Sequence, residues 1–121
     1  MPQISVDYSA GLAGFDRVSL GVAINRLAEE TIDAKPGSCK TVFRQSELLV
    51  VGTSRIPHDG QVFVEFQIFP GRTPEAKAAL SEGVLALLAE HVKPKPGVRL
   101  FTAVNIVDID RESYRSATAQ G

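Results

Sequence analysis

Apolar and polar residues alternate from the start of the chain: Ile4, Val6 and Tyr8 fall on one side, Gln3, Ser5 and Asp7 on the other. A period of two predicts a strand over 3–8, buried on one face. Gly11 and Gly14 mark a loop. From about 17 to 34 the spacing changes, with Leu20, Ile24, Leu27 and Ala28 at helical intervals and Asp16 as N-cap. Lys35-Pro36-Gly37 is the expected stop. Residues 40–51 read as extended, most clearly 48–51, and 52–60 as a polar loop. The plan then repeats. Val62, Val64, Phe66 and Ile68 alternate with polar neighbours as a second strand. Thr73-Pro74-Glu75 combines an N-cap, a proline at the first helical position and an acid in the positive first turn. Leu80, Val84, Leu87, Leu88 and Val92 form the stripe of a second helix, stopped by Pro94, Pro96 and Gly97. Residues 98–109 predict a long strand and 110–121 a polar tail.

Strand–helix–strand thus appears twice, which predicts one domain over 1–121 with halves at about 2–55 and 61–110. Each half pairs its strands in parallel through a helical crossover. Side by side, the halves make an α+β, two-layer fold: a four-stranded mixed sheet with both helices on one face. The other face is left bare, with Phe63, Phe69, Phe101 and Val107 among its residues. An uncovered apolar face points to self-association.

Composition narrows the classes. At 121 residues, 44% hydrophobic and net charge -1, the chain reads as a soluble domain with no basic nucleic-acid footprint. It shows no membrane-length apolar run and no signal-like N-terminus, so the cytoplasm is the default location. Its one cysteine, Cys39, excludes an internal disulfide and a multi-cysteine zinc site, and reads as a small core or edge residue. No metal-ligand spacing, phosphate-cradling loop or Ser/His/Asp order stands out, and no cofactor is implied.

The candidate chemistry begins at Pro2. If Met1 is removed, Pro2 presents a secondary amine at the terminus, in a class with pKa of roughly 7.7–8.0. Partial burial or nearby cations disfavour its ammonium form. A neutral amine near pH 7 can take a proton from a carbon acid. If Met1 is retained, the Pro2 nitrogen is an amide and has no such chemistry.

The order of Met1-Pro2 opening a strand, a duplicated β-α-β plan, and Phe63-Val64-Glu65 leading through Gly71-Arg72-Thr73 into a helix resembles the tautomerase superfamily. Length and landmarks are most similar to 5-carboxymethyl-2-hydroxymuconate isomerase. The stretch Pro70-Gly71-Arg72-Thr73-Pro74-Glu75-Ala76-Lys77 also resembles the helix start of short tautomerases such as 4-oxalocrotonate tautomerase. The resemblance implies a tautomerase-like fold, a homotrimer, no cofactor or metal, and Pro2 as general base. The implied substrate is a small enol or unsaturated dicarboxylate, as in aromatic catabolism.

The same resemblance makes Arg72 and Arg44 the candidate carboxylate binders, with Lys40 and Arg55 as substitutes for Arg44. Arginine suits the task because its fork pairs with both carboxylate oxygens. Arg72 lies in the second half of the chain, so Pro2 is expected to be remote from it or on another subunit. A cation just ahead of a helix N-terminus is also mildly misplaced. His58 reads as a solvated loop residue, His91 as a cation suited to a helix C-terminus, and Tyr114 as an anchor for the tail. Glu65 stands where members of the family carry histidine, which puts a dicarboxylate substrate in question. Two other readings stay open: a silent or promiscuous tautomerase-fold binding module, and a ferredoxin-like regulatory module with an incidental Pro2.

Overall fold

The computed structural model describes residues 2–121. Its elements are β1 (Gln3–Ser9), α1 (Arg17–Thr31), β2 (Lys40–Ser46), β3 (Gly60–Ile68), α2 (Pro74–His91) and β4 (Leu100–Asp108). The sheet order is β2-β1-β3-β4. β1 and β2 run parallel, as do β3 and β4, and β1 meets β3 antiparallel. This is the duplicated plan that the sequence predicts, joined through its two inner strands.

The period-two stripes explain where the core lies. Ile4 and Val6 of β1 and Val62, Val64, Phe66 and Ile68 of β3 are buried, and they pack with Leu20, Ile24 and Ala28 of α1 and Leu80, Val84 and Leu88 of α2. Each such side chain contributes about 1.5–3 kcal/mol on burial. The helices meet closely at Gly83: a Cβ there would stand 2.7 Å from Leu27 Cδ2, so the glycine sets their separation.

Both N-caps are those expected. Asp16 accepts from the Ser19 N–H and Thr73 from the Ala76 N–H. α1 ends earlier than the sequence pattern indicates. Asp33 adopts a left-handed φ of 51°, and the Ala34 N–H bonds Ala28 O, which closes the helix before Lys35-Pro36-Gly37.

The strand expected over 40–51 is cut short, and 48–51 is not part of it. The last rung of the ladder is Ser9 with Ser46, where β1 ends. Beyond it the apolar residues have no neighbouring strand, and Leu48 and Val50 are exposed. The bare sheet face is also more mixed than expected. Phe63 and Phe101 lie there among Ser5, Asp7, Arg44, Glu65 and Asn105. Phe69 falls past the end of β3, edge-on to Tyr114 at 5.2 Å and under the Arg111 guanidinium at 4.4 Å. The tail is therefore anchored by Tyr114, as its pattern suggests.

Among the described residues no helix is long and apolar enough to cross a membrane.

Candidate active site

The start of β1, the start of β2, the end of β3, the end of α1 and the start of α2 converge at one end of the sheet. The register fixes this: Gln3 is opposite Lys40 on one side and Gln67 on the other. Pro2 stands at this end at the head of an inner strand and is buried. Its carbonyl accepts from the Lys40 N–H at 3.1 Å. Its own nitrogen carries no amide hydrogen, so its place in the ladder costs no donor. The removal of Met1, on which the amine depends, concerns a residue outside the described ones.

The segment beside Pro2 is tied to α1. Thr41 Oγ1 donates to Asn25 Oδ1 at 2.6 Å, and Asn25 Nδ2 donates to Cys39 O at 3.4 Å. Burial, and then Glu29, pushes the Cys39 thiol above its ordinary pKa. It therefore resists forming a thiolate, in keeping with a packing role.

Arg72 lies at the same end of the sheet as Pro2, with its guanidinium bonded within its own chain. Its Nε donates to Ile32 O at 3.3 Å and its Nη1 to Phe69 O at 3.1 Å. Ile32 is the C-cap of α1. The guanidinium thus sits on the negative end of α1, which offsets its mild misplacement ahead of α2.

Arg44 lies elsewhere. It stands on the bare face, opposite Asp7 in the register. Its Nε donates to Asp7 Oδ1 at 2.9 Å and its Nη2 to Asp7 Oδ2 at 3.4 Å. That hydrogen bond, and the charge of Asp7 behind it, holds the guanidinium above its ordinary pKa. Pro2 shares the parity of the buried Ile4 and Val6, so within one protomer the two residues face opposite ways. Arg44 is four residues beyond Lys40, about 13 Å along the strand. Arg55 is on an exposed loop at the far end. Lys40 is exposed and its backbone N–H bonds Pro2 O, but it pairs with Gln3 in the register, so its side chain starts on the bare face as Arg44's does.

Glu65 is on the bare face, where its Oε1 accepts from Gln67 Nε2 at 3.2 Å. It is two residues from the rung beside Pro2. His91 is in the last turn of α2, and His58 is at the far end of the sheet. Sequence reasoning missed Arg111. It comes to the Pro2 end on the folded-back tail, over Phe69, with Nη2 donating to Pro70 O at 3.4 Å. The signal was available in the basic and aromatic residues Arg111 and Tyr114, spaced one turn apart in a segment otherwise read as polar tail. Among the described residues, no three His, Cys, Asp or Glu side chains gather as metal ligands would.

No family model matches the chain, and no curated protein matches it in sequence. Solved structures do share its fold. A 5-carboxymethyl-2-hydroxymuconate isomerase from Deinococcus radiodurans R1 superposes with a TM-score of 0.81 at 19% identity, over 98% of this chain and 90% of that one. A fused 4-OT wild-type symmetric trimer gives 0.75 at 16% identity, over 93% and 91%. A malonate semialdehyde decarboxylase inhibited by 3-bromopropiolate gives 0.67 at 13% identity, over 98% and 91%. At these identities the likeness is one of fold. The resemblance read from the sequence is borne out at that level, across almost the whole length of the chain.

Proposed function

We propose that this chain, once Met1 is removed, is a cofactor-free isomerase of the tautomerase type that uses Pro2 as a general base. The observation that carries this reading is a buried proline at the head of an inner strand, with strands on both sides. The shared fold of a structure described as an isomerase, over 98% of this chain, supports it. The Pro2 nitrogen takes a proton from the carbon next to a carbonyl, leaving an enolate or dienolate. The same nitrogen then returns that proton to another carbon of the conjugated system. Neither step needs a redox partner.

In this reading the long Lys40 side chain, which starts on the bare face, bends round the strand end to hold one substrate carboxylate. Arg72 offers Nη2 to a second, because Nε and Nη1 are already bonded to carbonyls. Arg44 reaches the site only from a neighbouring copy. The mixed, uncovered sheet face supports a homotrimer, tested by light scattering for three times the 13.0 kDa chain mass.

A second reading has its own support. Both arginines expected to bind substrate are engaged by their own chain, which fits a silent tautomerase-fold binding module. One experiment separates the two. Intact mass is measured first, and phenylenolpyruvate ketonisation is then assayed on the same sample. Pro2→Ala exchanges the secondary amine for a freer primary one and is expected to lower the rate by about tenfold or more, short of the roughly hundredfold or greater contribution of a general base lost outright. A free Pro2 with no ketonisation would leave the binding-module reading standing, and a Pro2→Ala protein as active as an active parent would remove Pro2 as the base.

A further inference from the structure

The far end of the sheet is a second mouth built on the same plan. The strand–helix–strand plan repeats at a displacement of about 58–60 residues, which carries the head of β1 at Pro2 onto the head of β3 at Gly60. Where the first half offers Met1-Pro2, the second offers Asp59-Gly60. A cavity of about 320 Å³ opens there, with Ser46, Glu47, Leu49, His58, Asp59 and Val98 among its walls. This lies at the lower end of the usual size range for small-molecule sites.

Asp59 is the unusual member. Its side chain is only 8% exposed. Oδ2 accepts from Arg99 Nη2 at a long 3.4 Å. Oδ1 is buried and accepts from nothing among the described residues. A buried carboxylate oxygen without a donor is costly.

His58 does not supply the missing donor while neutral. Its Nδ1 is 3.0 Å from Ile56 O. A carbonyl only accepts, so Nδ1 carries the hydrogen. Nε2 then presents a bare lone pair, 4.0 Å from Asp59 Oδ1. Two acceptors face each other with no donor between them.

Oδ1 has no accessible surface with His58 in place, so a ligand reaches it only when the exposed His58 ring swings outward. A tetrahedral nitrogen then bonds Oδ1 and Nε2 through two of its hydrogens. Its positive charge suits Asp59 and Glu47. Leu49 and Val98 offer an apolar wall. A guanidinium fits less well, because Arg99 already occupies Oδ2. A divalent metal fits less well, because no third ligand joins the pair.

We propose that this second mouth binds a small primary amine as its ammonium ion, held between Asp59 Oδ1 and His58 Nε2, with its apolar body against Leu49 and Val98. The exposed His58 ring is the movable wall of the site. The proposal is independent of the role given to Pro2, which lies at the other end of β1, about 20 Å away.

Isoamylamine and its neutral counterpart isoamyl alcohol are titrated into the full chain at about pH 7.5. Backbone amide shifts are followed by NMR. The amine is expected to move the amides of Ser46, Glu47, His58 and Asp59 saturably, with a Kd on the order of 1 mM, as for a ligand of this size. The amides of Gln3 and Lys40 stay in place, and the alcohol binds at least tenfold more weakly. Asp59→Asn is expected to weaken the amine about tenfold. His58→Leu changes an exposed side chain, which spares the fold, and is expected to weaken it severalfold. Equal binding of amine and alcohol, undiminished binding to both variants, or no saturable shift would overturn the proposal and leave the cavity to water.

Discussion

The two ends of the sheet share one plan and carry opposite chemistry. The Pro2 end of the sheet, which holds the buried head of β1, also gathers cations: Lys40 in the ladder, Arg72 on the end of α1, and Arg111 on the tail. At the Gly60 end, the buried group is a carboxylate, with Glu47 in the same cavity. The backbone is equally ordered at both ends. The Lys40 N–H bonds Pro2 O at 3.1 Å, and the Gly60 N–H bonds Arg99 O at 2.8 Å. Duplication thus supplies two pockets, while the few residues at each strand start decide what each attracts.

The largest expected difference comes from changing the two strand heads. Pro2→Ala is expected to remove most tautomerase turnover and leave stability nearly unchanged. Gly60→Ala should do the reverse. A Cβ at Gly60 would meet Leu12 Cδ2 at 3.1 Å and Val98 Cγ1 at 3.3 Å. Those side-chain ends must give by a few tenths of an ångström, and where they cannot the cost is up to about 1–3 kcal/mol. Urea melts and ketonisation rates on the same preparations check the pair. A Gly60→Ala protein of full stability but reduced turnover per folded molecule would break the contrast.

Arg72 sharpens it next. If the arginine mainly clamps Ile32 O and Phe69 O, Arg72→Met costs about 1–3 kcal/mol, the range for charged hydrogen bonds. Arg72→Lys should recover little, since one ammonium does not reproduce the planar fork. If it mainly binds substrate, KM rises and the melt is unmoved. Lys40→Ala is smaller and one-sided. The backbone bond to Pro2 remains, so stability is expected to hold. KM for a dicarboxylate should rise on the order of tenfold, for one lost charge-assisted contact.

Much of this was legible in the sequence, for reasons visible in particular residues. The alternation of Ile4 and Val6 and of Val62 to Ile68 reports burial on one face, and both helix starts carry their caps in plain view. What the sequence concealed depends on neighbours. The apolar run 48–51 has strand composition but no strand beside it, because β1 ends at Ser9. Arg44 looked available until the register set Asp7 opposite it. Arg72 looked distant because sequence separation hides the antiparallel meeting of β1 and β3, which brings the end of one to the start of the other. Asp59 was an unremarkable loop acid by sequence, and only its burial distinguishes it.

The smallest difference between the halves concerns their caps. α1 starts on a carboxylate and α2 on a hydroxyl. The Ser19 N–H, and then its hydroxyl, hold the Asp16 carboxyl below its ordinary pKa. A group whose folded pKa is depressed adds stability above its unfolded pKa, and loses it as pH falls through the folded one. The Asp16 contribution should therefore be complete above about pH 5 and fade on acidification below about pH 4, the ordinary range for aspartate. Asp16→Asn keeps a good cap without the charge. The stability difference between the parent and this variant should be flat near neutrality and change only in acid. Thr73→Ser, at the equivalent cap of α2, introduces no titrating group and should shift the melt by the same amount at every pH. Urea melts of the three proteins between about pH 3 and 7 read both curves. An Asp16→Asn difference that stays constant into acid would show that the Ser19 bonds do not favour the ionised carboxylate, and that the two caps work alike.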